Sequence, residues 1–168
     1  MPLATYEKAI EGEQWLRLKY RVRNLTSEPI RFLEVEAKVY DAEGQLTGFY
    51  GYDLDSELAP GENRLFVHRT SGYTLRPGDR VVVAPVRVET AKQTWAVHPA
   101  QEDGELLPAP LFERVEGGAN LCDTRCENAE NRCDSRCNGS GTFEFSCSCT
   151  EGGTFSYTCK CSRDKPTV

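Results

Sequence analysis

Apolar and polar residues alternate along much of this chain, and a period of two marks strands that bury one face. The clearest runs are Gln14 to Asn24 and Ile30 to Tyr40. The second sets Leu33, Val35, Ala37 and Val39 inward and Glu34, Glu36 and Lys38 outward. Further strands are expected at Leu3 to Ile10, Thr47 to Asp53, Asn63 to His68, Arg80 to Glu89 and Gln93 to Val97. Ser-Glu-Pro, Glu-Gly, Pro-Gly-Glu and Pro-Gly-Asp supply the breaks between them. Short strands at such spacing predict a mainly β chain, with an antiparallel β-sandwich over residues 1–98.

Beyond the sandwich the pattern changes twice. Residues 99–119, with Pro99, Pro108, Pro110 and Gly117-Gly118, have the composition of a linker, although Leu106, Leu107, Leu111 and Phe112 could lie against the sandwich. Residues 120–162 then hold all eight cysteines, and residues 163–168 form a tail. Cys122/Cys126 and Cys133/Cys137 are spaced i, i+4, which shares a helix face; Cys147/Cys149 and Cys159/Cys161 are spaced i, i+2, which shares a strand face. Asn120 as N-cap, Asp123 in the first turn and Asn138-Gly139 as C-cap bound a helix over Leu121 to Cys137. Cys-Asp-Thr-Arg-Cys recurs there as Cys-Asp-Ser-Arg-Cys after eleven residues, close to three turns, so the four cysteines form one stripe. Leu121 and Ala129 are the only other apolar residues, so sulfur chemistry is expected to hold the helix in place.

The hairpin follows by the same logic. Gly141 to Cys149 is echoed twelve residues later by Gly153 to Cys161, and both copies alternate throughout. Phe143, Phe145, Cys147, Cys149, Phe155, Tyr157, Cys159 and Cys161 share one face, with Thr150 to Gly153 as the turn. Folding back sets each cysteine pair across from an aromatic pair, at opposite ends of the hairpin. The strand pairs then lie roughly 13–20 Å apart, against about 16.5 Å for the helix pairs. A short loop from helix to hairpin sets Cys133/Cys137 opposite Cys159/Cys161, and Cys122/Cys126 opposite Cys147/Cys149.

Two chemistries suit this arrangement. Four disulfides would staple helix to hairpin. Alternatively, two four-cysteine zinc sites would use Cys122, Cys126, Cys147 and Cys149 in one and Cys133, Cys137, Cys159 and Cys161 in the other. Zinc modules more often use C-x-x-C knuckles, and none occurs here. Copper(I) would also accept the thiolates, but nothing in the spacing selects it. The disulfide reading needs no cofactor and is the leading one; a thioredoxin-type redox motif is absent.

The CxxxC helix joined to CxC strands resembles the cysteine-stabilised αβ motif of defensins and scorpion toxins, here doubled. That family's Gly-x-Cys strand is missing. From residue 120 onward there are six Lys/Arg against seven Asp/Glu, so only the scaffold is carried over and no antimicrobial role. Val22-Arg-Asn24, Ala37-Lys-Val-Tyr-Asp-Ala-Glu-Gly44, Leu58-Ala-Pro-Gly-Glu62 and Phe66 are similar to the FxLYD-type immunoglobulin-like domains of bacterial envelope proteins. Val39 stands where the name-giving Leu would be. The resemblance implies an extracytoplasmic immunoglobulin-like sandwich used for adhesion, assembly or spacing, and carries no catalytic residues.

Charge and composition narrow the function. Net charge is −6, with 20 Lys/Arg interspersed among 26 Asp/Glu, which argues against a nucleic-acid partner. The basic strip Arg17, Lys19, Arg21 and Arg23 alternates with apolar residues and reads as a solvated strand face. Mean hydropathy is −0.54, and no apolar run reaches the roughly 18 residues of a membrane span. Disulfides place the protein in an extracellular or periplasmic compartment. The N-terminus has no signal-peptide pattern, which favours either a start after a cleaved leader or a cytoplasmic location with zinc. Sequons occur at Asn24 and Asn138.

Catalytic constellations are not apparent. His68 and His98 lie at strand ends, Ser56 and Ser71 in loops, and no G-x-S-x-G elbow exists. Asp53, Asp55 and Glu57 alternate in an acidic loop without an EF-hand pattern. Trp15, Trp95, Tyr50 and Tyr52 suit core packing, or an aromatic surface for sugar or peptide. The expectation is a non-enzymatic binding or structural protein stabilised by four disulfides, with a protein partner or self-association. Its specific form is a surface-assembly subunit whose strand Leu3 to Ile10 completes a neighbour's sheet edge. The alternative is a cytosolic zinc-binding interaction module.

Overall fold

The computed structural model describes residues 15–53, 56–71, 76–97, 106–109, 121–137, 143–150 and 155–161, with backbone only for 15–17, 69–71 and 121. The expected strand Leu3 to Ile10 lies outside them. Strands β1 (Trp15–Arg23), β2 (Phe32–Tyr40), β3 (Leu46–Asp53), β4 (Asn63–Ser71), β5 (Arg80–Glu89) and β6 (Thr94–Ala96) come first. The two-residue β7 (Leu107–Pro108), helix α1 (Leu121–Arg136) and the hairpin strands β8 (Phe143–Cys149) and β9 (Phe155–Cys161) follow.

β1 and β4 form an antiparallel ribbon, and the other strands form one seven-stranded sheet in the order β7-β6-β5-β2-β3-β9-β8. The ribbon covers one face of that sheet. Leu18, Tyr20, Val22 and Phe66 from the ribbon meet Leu33, Val35, Ala37, Val39, Tyr50, Val81, Val83, Val86 and Val88 from the sheet in a single buried cluster. These are the residues that the period of two turns inward.

Turn chemistry sets the registers. Between β2 and β3, Asp41 Oδ1 accepts the N–H groups of Glu43 (2.9 Å) and Gln45 (2.8 Å), and Gly44 takes the left-handed conformation (φ 81°) that closes the turn. In β5 the alternation changes phase: Val81 and Val83 face the core, then Val86 and Val88 do. The pairing with β2 slips there, between Glu34 opposite Arg87 and Val35 opposite Pro85. The bulge seats a proline inside a central strand and turns Arg87 and Glu89 to the far face of the sheet.

The sheet runs across the 99–119 segment into the cysteine-rich part, because β9 pairs antiparallel with β3 from Gly48↔Lys160 to Tyr52↔Ser156. Two glycines permit this closeness. A Cβ at Gly48 would collide with the Cys159 carbonyl oxygen, and one at Gly51 would fall within the Tyr157 ring. α1 lies over the face of the sheet opposite the ribbon. Ala129, Cys133 and Cys137 from the helix pack there with Phe32, Phe49, Phe155, Tyr157 and Cys159. The described residues thus form three layers: ribbon, sheet and helix.

Gly51→Ala tests the seam between β3 and β9. Displacing the Tyr157 ring is expected to cost about 2–4 kcal/mol, as overpacking plus weakened polar contacts. Urea unfolding with the disulfides intact measures it.

Candidate functional site

The chemistry-bearing side chains gather between α1 and the sheet. At about 100° per residue, α1 carries three stripes. Cys122, Cys126, Cys133 and Cys137 form the middle one; Arg125, Ala129, Arg132 and Arg136 lie to one side, and Asp123, Glu127, Glu130 and Asp134 to the other. The helix is laid down so that the cysteines meet the hairpin and the arginines meet β2 and β5.

Disulfides join Cys122 to Cys149, Cys126 to Cys147, Cys133 to Cys159 and Cys137 to Cys161, with Cα–Cα distances of 5.1–5.9 Å. The first two bridge Cys122/Cys126 to Cys147/Cys149 at one end of the hairpin; the others bridge Cys133/Cys137 to Cys159/Cys161 at its other end. In the hairpin, Phe145 lies opposite Cys159 and Phe143 opposite Cys161. The sulfurs therefore sit among aromatic rings, with Cys133 and Cys159 fully enclosed.

Glu34, Glu36 and Lys38 do point outward from the sandwich core, but they are not solvated. Their relative exposures are 1%, 0% and 2%. At Glu34 and Glu36 the outward face of β2 is covered by α1, which supplies the opposite charge. Arg132 Nη2 donates to Glu34 Oε2, and Arg132 Nε donates to Glu36 Oε2 at 3.1 Å. Arg136 Nη1 donates to Glu36 Oε1. The Tyr157 hydroxyl accepts from Arg132 Nη2 (2.7 Å) and lies 2.5 Å from Glu34 Oε2 and 2.8 Å from Glu36 Oε2, donating its proton into the acid pair. Tyr157 reaches them from β9 by crossing β3 above Gly51, which stands directly between Glu36 and Tyr157 in the register.

A second set lies along the helix. Arg125 forks onto Glu89 through Nη1 (2.9 Å) and Nη2 (3.0 Å), and Arg87 Nε donates to the same carboxylate at 2.6 Å. The Arg125 guanidinium also stacks 3.3 Å above the Phe32 ring centre, and that of Arg136 lies 4.8 Å from the Phe49 centre. The helix, apolar only at its cysteines, Leu121 and Ala129, is thus held by guanidiniums as well as by sulfur.

Burial alone would push the Glu36 carboxyl up, but the Arg132 and Arg136 guanidiniums outweigh it and hold the group below the usual carboxylate range. Burial likewise opposes ionisation of Glu89, and Arg125 and Arg87 again prevail. Burial pushes the Tyr157 phenol well up, reinforced by Glu34 and Glu36 against the opposing Arg132. The cluster therefore holds the Glu36 and Glu89 carboxylates charged against guanidiniums, beside a neutral phenol.

The other sequence candidates have structural surroundings. His68 stacks on Tyr52 at 3.9 Å between ring centres and shares a 2.8 Å hydrogen bond with the Tyr20 hydroxyl. Tyr50 is buried in the core, and Trp95 packs half-buried against it. Ser56 accepts from Arg64, and exposed Glu57 lies 3.7 Å from Arg31. Asp53 ends β3, whereas Asp55, His98 and Asn138 lie outside the described residues, as do the side chains of Trp15 and Ser71. Asn24 is fully buried, and its Nδ2 donates to the Glu28 and Leu58 carbonyls, so its sequon is closed to modification. The arginine stripe was readable from its 4-3-4 spacing, but its acidic partners carry no such mark.

Arg132→Met leaves the acid pair buried with one guanidinium fewer and is expected to cost about 3–5 kcal/mol in urea unfolding. Thermal unfolding of the oxidised protein across pH should show two limbs. The lowered Glu36 and Glu89 contribute stability that is present above about pH 4.3 and lost as pH falls through their folded values. The raised Tyr157 contributes stability present below about pH 10 and lost as pH rises through its folded value. Compared with known protein families, characterised proteins and solved structures, the chain matches none.

Proposed function

We propose that this is a non-enzymatic extracellular or periplasmic protein with a binding or structural role, serving as a subunit of a surface assembly. The observation that carries the reading is the consumption of all eight cysteines in four disulfides, each tying α1 to the β8–β9 hairpin. Disulfides persist where thiols are not continually reduced. Each closes 21–27 residues of chain, which corresponds to about 2–4 kcal/mol apiece in the chain-entropy account. The resemblance of residues 14–70 to envelope-protein sandwiches supports the same compartment. A three-layer body with ion pairs buried between helix and sheet suits a scaffold that presents its outer faces to other molecules.

One observation favours a second reading. The Cys133, Cys137 and Cys159 sulfurs lie within 4.8 Å of one another, so a reduced chain would gather thiolates at zinc-binding spacing. Both readings meet in one measurement, the intact mass of protein purified without reductant, with and without iodoacetamide under denaturing conditions. The expected result is a mass eight hydrogens below the reduced formula and no alkylation. Eight alkylated thiols together with bound zinc in the native mass would instead make it a cytosolic zinc-dependent interaction module.

A further inference from the structure

The two outer layers carry opposite charge. On the ribbon, Lys19, Arg21 and Arg23 form an exposed row along β1. Val67, Leu65 and Asn63 stand directly across from them on β4. Leu65 and Val67 are 40% and 45% exposed, so the face has a cationic row beside an aliphatic one. Neither β1 nor β4 contains an Asp or Glu. In a chain of net charge −6 this is a local reversal of sign.

The helix layer is the reverse. Asp123, Glu127, Glu130 and Asp134 are all exposed along α1. The arginines of the same helix point into the molecule, at Glu34, Glu36 and Glu89. The acidic row is therefore unmixed with exposed cations of its own helix. It spans about 16.5 Å at about 1.5 Å per residue, and Lys19 to Arg23 spans about 13 Å at about 3.3 Å per residue. Three cations fit within the length of four carboxylates.

We infer that the β1–β4 face is a docking surface for a second copy of this chain, which presents the acidic face of α1. This rests on the assembly reading proposed above and gives it a geometry. The ribbon and the helix lie on opposite faces of the seven-stranded sheet, so one contact leaves the complementary face of each partner free. Such a contact is head-to-tail, and it propagates into a ring or a filament instead of closing a two-fold dimer. Exposed charge pairs supply orientation and salt sensitivity, while Leu65 and Val67 add a component that salt does not screen.

Sedimentation velocity of the oxidised full chain, from about 1 µM to about 1 mM, tests this. Oligomers should grow with concentration at low salt, and raising NaCl to about 0.5 M should weaken association at least about tenfold. The triple variant Lys19→Glu, Arg21→Glu, Arg23→Glu and the triple variant Glu127→Lys, Glu130→Lys, Asp134→Lys should each be monomeric with unchanged thermal unfolding. Mixed in equal amounts, they should associate again. Wild-type protein that stays monomeric with four disulfides verified by mass would overturn the docking geometry while leaving the stapled scaffold intact. Association unaffected by either variant, or binding of a monomer to anionic vesicles, would overturn it too; free thiols in the same sample would instead count against the compartment.

Discussion

Two carboxylates buried side by side on a central strand impose the main constraint on this protein. Glu34 and Glu36 share the face of β2 that carries Phe32 at its edge, and neither touches solvent. Charges in such a position require partners of opposite sign with good geometry, because desolvation costs several kcal/mol per ion. Arg132, Arg136 and Tyr157 provide them, from two elements that lie about a hundred residues later in the chain. The sheet and the cysteine-rich region are therefore complete only together. Without α1, β2 would expose its acids; without β2, Arg132 and Arg136 would have no carboxylate to meet.

Sulfur and charge divide the work of fixing α1. The disulfides set its distance from the hairpin and its position along the strands, since each pair bridges one end. They also turn the cysteine stripe of the helix toward the hairpin. The bidentate pair of Arg125 with Glu89 and the shared pairs of Arg132 and Arg136 seat the neighbouring stripe on β2 and β5, because planar guanidiniums accept only a narrow range of carboxylate geometries. Orienting the arginines inward turns the acidic stripe out. The surface charge pattern is thus a consequence of how the interior is neutralised.

Small backbone features make the interface possible. Gly51 leaves room for the Tyr157 ring to cross β3 and reach the acid pair, and Gly48 lets the Cys159 carbonyl approach. The phase change at Pro85–Val86 keeps valines in the core on both sides of the bulge and sends Arg87 and Glu89 to the helix side. Each is a local departure from regular strand pattern that serves a contact made elsewhere.

Period-two alternation determined where strands run, because a half-buried strand must separate its faces whatever covers them. Cysteine spacing determined a helix and a hairpin, and the matching spans of their pairs set which ends face one another. What lies over the polar face of a strand is not a local property. Glu34 and Glu36 show the same alternation as residues bathed in water, and only α1 folding back over them makes them interior. Likewise, pairing of β9 with β3 depends on glycine clearance and on an aromatic ring from another segment, so the continuation of the larger sheet into the hairpin was decided by tertiary packing. Local sequence reports which face a side chain takes; long-range compensation of charge and volume decides what that face meets.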